Sequence, residues 1–293
     1  MDDVAATAVI RRFNRAYTQR IGALDDSFLG MGLPLGTARL LFEIGAEPAT
    51  AQALRARLGL DSGYLSRLLR RLEEDGLVTV TPDPADRRRR LVRVTPNGRR
   101  RWAELEERSE ARARQLVGPL SARQRERLAA ALAEADLLVR AATVTFELVD
   151  PDTPVARDAV GRYFAEVGRR FGFDAAGEPA KDAVSLAPPL GAFFVAVSDG
   201  EPVACGGVRT LGGGVGEVKR MWVHDGWRGA GLGSRLLRHL EDAARALGHQ
   251  VARLDTNETL VEAIAMYERA GYRRIPRYGD NSFATHFFEK ELT

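Results

Sequence analysis

One stretch of this sequence restricts the fold more than any other. Residues 217–247 run from a strand-like segment, EVKRMWV, through the glycine-rich loop RGAGLGS into a segment with leucines at helical spacing. Glycines let successive backbone amides turn toward one point, and the first turn of a helix offers further N–H groups without a helical partner. Together with the charge of Arg228, this pattern predicts a pyrophosphate site at a helix N-terminus.

The spacing of this loop argues against two common phosphate-binding motifs. A dinucleotide fingerprint of the form GxGxxG, counted from Gly229, needs glycine where Ser234 stands. A Walker loop needs lysine before its serine or threonine, and this loop contains no lysine. Neither nicotinamide binding nor nucleoside triphosphate binding is therefore favoured.

The N-terminal half combines a basic helix with an arginine-rich hairpin. Four leucines within residues 62–74 share one helical face, so the opposite face carries small and basic residues. A hairpin is predicted over residues 77–96, with arginines clustered at its turn. The residues expected to contact a DNA duplex are Ser62, Gly63, Ser66, Arg67, Arg70, Asp86, Arg87, Arg88 and Arg89.

Two other interpretations concern single residues of this region. Asp86 is expected to pair with Arg88 and shape the turn of the hairpin. The basic helix face is alternatively a solvated surface, with pairs such as Arg70 and Glu74 four residues apart. The adjacent arginines of the hairpin favour the DNA interpretation, because neighbouring like charges repel unless a polyanion or acids compensate them.

Charge is distributed unevenly along the chain. Residues 1–142 carry 25 arginines against 19 acidic residues, whereas residues 143–293 carry 18 basic against 21 acidic residues. Residues 55–101 alone hold 13 arginines and 6 acids. A local basic excess attracts polyanions and rarely helps a fold, so the two halves are expected to bind different partners.

Composition narrows the remaining classes. The single cysteine, Cys205, excludes a disulfide framework and a cysteine-based zinc site, and it is expected to be a buried apolar residue. The four histidines show no metal-binding spacing, so no metal is expected. No run of about 18 apolar residues occurs, so no membrane partner is expected and the cytoplasm is the predicted location.

The segment LGLDSGYLSRLLRRLEEDGLVTVTPDPADRRRRLVRVTPNGR resembles the MarR family of winged-helix regulators. The resemblance extends over about residues 1–142 and includes the spacing of Asp86 and Arg88. It implies a homodimer that binds a pseudo-palindromic duplex. It also implies that the helices near residues 4–21, 97–117 and 121–141 form the dimer interface.

The C-terminal half resembles the GNAT superfamily of acyl-CoA N-acyltransferases over about residues 144–293. The resemblance rests on the motif R/QxxGxG/A at Arg228, Gly231 and Gly233, on the preceding VKRMWV, and on the later LDTNETLVEAIAMYERAGYRRIP. It implies acetyl-CoA as cofactor, with loop amides on its pyrophosphate and strand backbone along its pantetheine arm. The implied cofactor-binding residues are Met221, Trp222, Val223, Arg228, Gly229, Ala230, Gly231, Leu232, Gly233, Ser234 and Asn257.

Amide formation from a thioester sets the remaining chemical requirements. The amine attacks only when neutral, and Glu217 is the candidate base, directly or through water. The departing thiolate needs a proton, which the Tyr267 hydroxyl can supply, since the resemblance places it near the sulfur. A core aromatic and a strand-edge charge are the alternative interpretations of Tyr267 and Glu217. Arg277, Tyr278 and Asn281 are expected to bind the acceptor, with Arg277 suited to a carboxylate.

The predicted architecture has two domains. Residues 1–142 form a mainly α winged helix-turn-helix, and residues 143–293 form an α+β domain with a central mixed, mostly antiparallel sheet. The predicted function is a DNA-binding regulator joined to an acetyltransferase that acts on a small-molecule primary amine, by direct attack in a ternary complex. Two alternatives remain: the C-terminal half only senses acetyl-CoA, or the N-terminal half serves only dimerisation.

Overall fold

The computed structural model describes residues 3–45, 47–84, 86–172 and 183–292. The chain divides into two compact units, Met1–Leu128 and Ala129–Thr293, and helix α6 (Ala122–Thr143) continues across the division. The boundary predicted after residue 142 lies at the end of this helix and stays a prediction. Residues 172–190 are rich in glycine, alanine and proline and are expected to form a loop, most of which lies outside the described residues. No helix in the described ranges is long and apolar enough to cross a membrane.

The N-terminal unit contains the predicted helices and hairpin, with ends shifted by one or two residues. Its elements in chain order are α1 (Asp3–Arg20), α2 (Leu35–Ile44), β1 (Ala49–Thr50), α3 (Ala51–Leu58), α4 (Ser62–Glu74), β2 (Val78–Pro82), β3 (Arg90–Val94) and α5 (Pro96–Val117). The three strands form one sheet in the order β1-β3-β2. This is a helix-turn-helix followed by a hairpin wing, as predicted.

Side-chain caps fix where the helices of this unit begin. The Asp61 carboxylate accepts a hydrogen bond from the Tyr64 N–H at 2.8 Å and starts α4. Thr95 caps α5 through the Gly98 N–H at 2.9 Å. A Cβ at Gly98 would lie 1.9 Å from the Leu77 carbonyl oxygen, so only glycine lets α5 approach the hairpin this closely.

The apolar face of α4 forms much of the core of the N-terminal unit. Its four leucines, Leu65, Leu68, Leu69 and Leu72, are all buried. They pack with residues of α2 and α3, among them Leu41 and Leu54. Burial of a leucine side chain contributes about 1.5–3 kcal/mol, so this face determines the orientation of the helix. The opposite face of α4 is exposed as a consequence.

The C-terminal unit is an α+β domain. Its elements in chain order are β4 (Glu147–Leu148), α7 (Pro154–Phe171), β5 (Gly191–Ser198), β6 (Glu201–Gly212), β7 (Val215–Val223), α8 (Leu232–Ala246), β8 (Val251–Thr256), α9 (Val261–Arg269), β9 (Arg273–Arg274) and β10 (His286–Glu291). The alternating segment TVTFELV, residues 143–149, predicts a longer first strand than β4, and no sequence pattern predicts β9. Both are short strands near or at a sheet edge, so pairing with a neighbour defines them more than their own pattern does.

The sheet of this unit has the strand order β4-β5-β6-β7-β8-β10-β9. Its neighbouring strands are antiparallel, except that β7 and β8 are parallel. The predicted mixed, mostly antiparallel sheet is therefore confirmed. Leu236, Leu237 and Leu240 of α8 are buried in the core on one side of the sheet. Ala159 and Val160 of α7 are buried in the core on the other side.

Candidate active site and nucleic-acid interface

Strands β7 and β8 separate at the centre of the sheet. Their parallel pairing runs from Val215 opposite Val251 to Glu217 opposite Arg253. Both strands continue beyond this point, and β7 stays paired with β6 as far as Val223. Strand β7 therefore follows β6 away from β8, which opens a gap in the middle of the sheet.

A β-bulge accompanies this separation. Lys219 pairs with Gly207 and Trp222 pairs with Cys205, so two residues of β7 oppose Gly206 alone. The extra residue, Arg220, has a φ of 53°, in the left-handed region that non-glycine residues seldom adopt. Its guanidinium lies 5.3 Å from the centroid of an aromatic ring of α7. The bulge thus directs the side chain of Arg220 to the α7 side of the sheet.

A cavity of ≈ 460 Å³ occupies the gap. Residues of α7, of strands β6 to β8, of α9 and of the segment before β10 line it. The polar lining residues include Arg209, Lys219, Arg220, Asp255, Asn257 and Tyr267. The apolar and aromatic ones include Tyr163, Phe164, Val167, Met221, Leu254 and Phe283. The cavity therefore joins the α7 side of the sheet to the residues of α9.

The glycine-rich loop leads directly into α8. Gly229 and Gly231 have φ values of 81° and 80°, and α8 begins at Leu232. A Cβ at either glycine would meet no atom within 4 Å, so the surface of the loop is open. The amides of the first turn, through Ser234, have no partner within the helix and carry its positive dipole. This arrangement fits a diphosphate, as the sequence predicted.

The Arg228 guanidinium makes contacts that the sequence did not predict, and its role in binding the cofactor stays a prediction. Its Nη2 lies 2.6 Å from both carboxylate oxygens of Glu166 on α7, and its Nε donates to the Val223 carbonyl oxygen at 3.1 Å. The Trp222 indole N–H also donates to Glu166, at 2.8 Å. Burial acts to raise the pKa of Glu166, but the hydrogen bonds from Arg228 and Trp222 outweigh it and lower that pKa. Arg228 fastens the loop to α7, so the open amides carry the case for a phosphate site.

The backbone N–H of Val223 lies on the edge of β7 that borders the gap. The His224 N–H donates to the Val203 carbonyl oxygen, and Val223 is opposite Ala204. Hydrogen-bonded and non-hydrogen-bonded pairs alternate along an antiparallel ladder, so the N–H of Val223 points away from β6. It is therefore directed to the side on which β8 has separated.

Tyr267 lies where α9 meets the cavity. Only 7% of the residue is exposed, and its hydroxyl is 3.9 Å from the Met221 sulfur. Burial, followed by the nearby Asp255 carboxylate, raises the pKa of Tyr267 above its usual value of 10.0. The hydroxyl consequently stays protonated at neutral pH, as a proton donor must.

Glu217 is buried but lies outside the cavity lining. Its carboxylate binds the Arg209 guanidinium, accepts a hydrogen bond from the Tyr278 hydroxyl at 2.9 Å, and has Lys219 Nζ at 3.6 Å. Only 2% of the residue is exposed. Through these contacts the Glu217 carboxylate holds the side chains of Arg209, Tyr278 and Lys219 in position. The role of Glu217 as base stays a prediction.

The residue that the sequence analysis missed is Asp255, at the end of β8. Its carboxylate lines the cavity, 2.9 Å from Lys219 Nζ and 2.7 Å from Asn281 Nδ2. It alternates along the strand with the buried Leu254 and Thr256, so it lies on the opposite face from them. One sequence feature could have identified Asp255: it is an acidic residue at the end of a strand, two positions before Asn257, and the motif includes Asn257.

The predicted acceptor residues are only partly brought together. Asn281 lies in the cavity, hydrogen-bonded to Asp255. Tyr278 is not part of the cavity lining, and its hydroxyl donates to Glu217. Arg277 instead donates to the backbone oxygens of Asn281 and Ala284 and stabilises this segment. Asn257 lines the cavity, while its Nδ2 donates to the Phe283 carbonyl oxygen at 2.7 Å.

Cys205 is fully buried, and burial raises the pKa of its thiol to about 12. The prediction of a buried apolar residue is confirmed, and a thiolate nucleophile is disfavoured at neutral pH. Among the described residues, no group of three or more histidine, cysteine, aspartate or glutamate side chains is arranged to hold a metal ion.

The predicted DNA-contacting face of α4 is exposed. Its N-terminal residues Ser62, Gly63 and Ser66 and the arginines Arg67 and Arg70 all face solvent. No acidic side chain forms an ion pair with these arginines in the described part of the chain, and the alternative pair with Glu74 is not formed. The helix thus presents uncompensated positive charge beside small residues.

The wing adds further arginines at its turn. Arg87, Arg88 and Arg89 are exposed, and Asp86 organises them. Asp86 binds Arg88 as predicted, but through the Arg88 backbone and not through its guanidinium. Its carboxylate accepts from the Arg88 backbone N–H at 3.0 Å and forms its ion pair with Arg89 at 3.3 Å. A two-residue span lets an aspartate reach a backbone N–H, as in an Asx-turn, and leaves the Arg88 guanidinium pointing outward.

Comparison with known families agrees with both halves of this geometry. The model of the acetyltransferase (GNAT) family matches residues 160–272, which contain most of the cavity lining, the glycine-rich loop and Tyr267. The model of the MarR family matches residues 31–89, which contain α4 and most of the wing.

Individual relatives cover one half each. The chain is 37% identical over 130 residues to the IAA acetyltransferase of Azospirillum brasilense, across 42% of this chain and 85% of that protein. It is 39% identical over 104 residues to the blasticidin-S acetyltransferase of Streptomyces morookaense, across 30% and 72% of the two chains. A MarR-family regulator structure from Rhodococcus sp. is 24% identical, with a TM-score of 0.38, across 46% and 96%.

The two matches lie in sequence order on one polypeptide and do not overlap. Members of the acetyltransferase family take the acetyl group from acetyl-CoA, and the open amides at the start of α8 fit its diphosphate. The chain therefore belongs to the GNAT family through its C-terminal half, which is an acetyl-CoA-dependent N-acetyltransferase. Its N-terminal half is similar to the MarR family over the residues that the family model matches.

Proposed function

We propose that the C-terminal half acetylates a primary amine of a small molecule by direct attack in a ternary complex, and that the N-terminal half binds duplex DNA as a homodimer. The observation that carries the enzymatic part is the cavity in the split sheet. It reaches from the α7 side to Tyr267, so an amine and a thioester can meet there from different directions.

Different residues around the gap between β7 and β8 would carry out different steps of the reaction. Acetyl-CoA supplies the acetyl thioester. The amides from Gly229 to Ser234 would hold its diphosphate, and the N–H of Val223 would polarise the acyl oxygen. The amine nitrogen forms a bond to the acyl carbon while the carbon–sulfur bond breaks. Tyr267 would give the departing sulfur its proton, and the amine would lose one to water.

A small-molecule acceptor is supported by the form of the cavity. A volume of ≈ 460 Å³ is within the range of sites for small ligands. The blasticidin-S acetyltransferase that matches this half is named for a small molecule. Asp255 lies in the cavity with its carboxylate partly satisfied by Lys219 and Asn281, and a carboxylate can accept further hydrogen bonds from an ammonium group.

Thiol release measures the enzymatic proposal directly. The full-length protein, incubated with acetyl-CoA and a panel of small amines, is expected to release coenzyme A only when an amine is present. A matching acetylated product should appear by mass spectrometry. If acetyl-CoA binds and no amine in a broad panel releases thiol, the sensor interpretation replaces the enzymatic one.

The DNA-binding part rests on the exposed arginines of α4 and the wing. Dimerisation is supported by α1, where Ile10, Phe13 and Tyr17 are 58%, 46% and 42% exposed and share one side of the helix. Apolar residues in such a row commonly mark an interface. Selection from random duplexes is expected to return an inverted repeat, and sedimentation is expected to give a dimer. A protein that dimerises but binds no duplex at low salt would support the alternative of dimerisation alone.

A further inference from the structure

Glu166 of α7 lies at the centre of a group of side chains at the end of β7. Its carboxylate accepts a hydrogen bond from the Trp222 indole N–H at 2.8 Å, and Arg228 Nη2 lies 2.6 Å from each of its oxygens. Arg170, one helical turn further along α7, adds an ion pair at 2.9 Å. Glu166 therefore joins α7 to the last residues of β7 and to the start of the glycine-rich loop.

The contacts of Glu166 occupy its carboxylate fully. Its side chain is 15% exposed, and a carboxylate has about four acceptor positions on its two oxygens. Arg228 takes two of them, and Trp222 and Arg170 take one each. A carboxylate in this state holds its donors in place and has no acceptor position left for a ligand.

The glycine-rich loop is held at its two ends by different interactions. At its end, Leu232 is the first residue of α8, is 1% exposed and packs in the core on the α8 side of the sheet. At its start, the Arg228 guanidinium binds Glu166 and the Val223 carbonyl oxygen. Glycine permits many backbone conformations, so the order of the loop depends on both ends being held.

Loop order affects how tightly backbone amides bind an anion. A mobile loop must be ordered when its ligand binds, and the free-energy cost of that ordering lowers the affinity. A contact that orders the loop beforehand therefore raises the affinity without touching the ligand. The negative charge of Glu166, by contrast, opposes the binding of a diphosphate. The two effects have opposite signs, so one measurement of affinity distinguishes them.

We propose that Glu166 is a positioning residue for the cofactor: through Arg228 it fixes the start of the glycine-rich loop and so sets the affinity of the loop amides for the diphosphate of coenzyme A. The inference rests on the proposed placement of that diphosphate on the amides from Gly229 to Ser234. It adds to the site a residue that lies 62 positions before Arg228 and outside the glycine motif.

Coenzyme A and pantetheine test this role on the full-length protein. Pantetheine lacks the diphosphate and the nucleotide, so it reports on the site without the loop. Glu166→Gln is expected to raise the Kd of coenzyme A about tenfold or more, the factor for one charge-assisted hydrogen bond, and to leave that of pantetheine within about twofold. Calorimetry gives the first value, and competition with coenzyme A gives the second.

Two further variants separate position from charge. Glu166→Asp keeps the charge on a side chain that is one methylene shorter, and it is expected to weaken coenzyme A binding as well. This variant keeps the test valid if Glu166→Gln does not fold. Asp158→Asn is the control, because it removes another acid of α7 whose partner Arg162 keeps a second ion pair with Glu201. It should leave both Kd values unchanged.

Amide order parameters measure the loop itself in the ligand-free protein. In the wild type, the amides of residues 229–234 are expected near the value of a rigid backbone, about 0.85, and in Glu166→Gln below about 0.6. The amides of α8 beyond Leu236 should keep their values. A uniform decrease through the whole unit would show that Glu166 acts on overall stability and would overturn the inference. If pantetheine competes too weakly to be measured, the order parameters decide.

The outcomes separate this inference from the proposed function. An unchanged or lower Kd of coenzyme A in Glu166→Gln overturns the inference and leaves the enzymatic proposal intact, because charge would then outweigh position. An equal loss for pantetheine also overturns it. If coenzyme A binds to the wild type without shifting the amide resonances of residues 229–234, the placement of the diphosphate fails, and the inference fails with it.

Discussion

The two halves of this protein use arginine in opposite ways. On α4 and the wing, Arg67, Arg70 and Arg88 are exposed and form no ion pair with an acidic side chain in the described part of the chain. In the acetyltransferase half, Arg209 and Arg228 each bind a carboxylate beside the site. Exposed cations act over about a Debye length, roughly 8 Å at physiological salt, and release counterions on binding a polyanion. Paired, partly buried cations instead hold neighbouring groups in fixed positions.

The contrast distinguishes arginines that attract a charged partner from arginines that fix the positions of neighbouring groups. Losing an exposed arginine should weaken binding and its salt dependence without affecting the fold. Breaking a buried pair leaves an uncompensated charge, which is strongly destabilising. The predictions below test each side of the contrast, beginning with the largest expected effect.

The largest effect is expected at the reacting group itself. Tyr267→Phe should lower kcat about 10²-fold or more, because a positioned proton donor contributes about 10²–10⁴-fold. The KM for acetyl-CoA should change little, since the ring and its packing remain. Steady-state thiol release measures both values. Tyr272→Phe is the control, a buried tyrosine whose ring lies 6.0 Å from that of Tyr267 but which does not line the cavity.

The next prediction distinguishes the two carboxylates. Asp255→Asn should raise the KM for the amine by about 10- to 100-fold, the loss expected for a charge-assisted hydrogen bond. Glu217→Gln should chiefly lower the free energy of unfolding, by about 3 kcal/mol, because it removes a buried carboxylate that binds Arg209. Denaturation curves and steady-state kinetics on both variants check this. A stable Glu217→Gln protein that loses the acidic limb of its pH–rate profile would instead identify Glu217 as the base.

A smaller effect, on the affinity for duplex DNA, is expected from the arginines of the wing. Replacing Arg88 and Arg89 by Ala should weaken duplex binding about tenfold and reduce the slope of log K against log salt by about one for each phosphate that is no longer neutralised. Arg88→Ala alone should account for more of this than Arg89→Ala, since only Arg89 pairs with Asp86. Fluorescence anisotropy at several salt concentrations gives the slopes. Arg274→Ala, an exposed arginine of the other unit, is the control.

The last prediction concerns acid stability. The pKa of Glu166 lies below its ordinary value of 4.5, so its interactions stabilise the fold above that value and are lost as the pH falls through the lowered one. Glu166→Gln should therefore lower stability at pH 7 by about 1–3 kcal/mol and reduce the difference between pH 7 and pH 3. Glu110→Gln removes an exposed pair with Arg114 and should change either value by less than about 1 kcal/mol. A flat response in wild type would contradict the assignment.

Periodicity and caps made much of the fold predictable. The leucine stripe of α4, the cap at Asp61 and the turn residues of the wing are local signals that act within a few residues. The glycine-rich loop is local in the same sense, because positive φ values at Gly229 and Gly231 and the start of α8 lie within one segment. These features were therefore predicted close to their observed positions.

The site itself depends on contacts that no local pattern contains. Glu166 reaches Arg228 across 62 positions of sequence, and Glu217 reaches Tyr278 across 61. Asp255 faces the cavity only because β7 has left its side, and the bulge responsible for the position of Arg220 appears only in the register with β6. Sequence patterns identified the elements around the site but could not assign these partners.

By itself, the sequence determined which segments are helix, strand and loop, that basic charge collects in one half, and where amides gather for a phosphate. Only the tertiary structure decided which of those charges remain exposed and which are paired, and where the sheet opens. The physical reason is range: backbone preferences and helix caps act between near neighbours, whereas charge pairing and strand register depend on residues that meet only when the chain has folded.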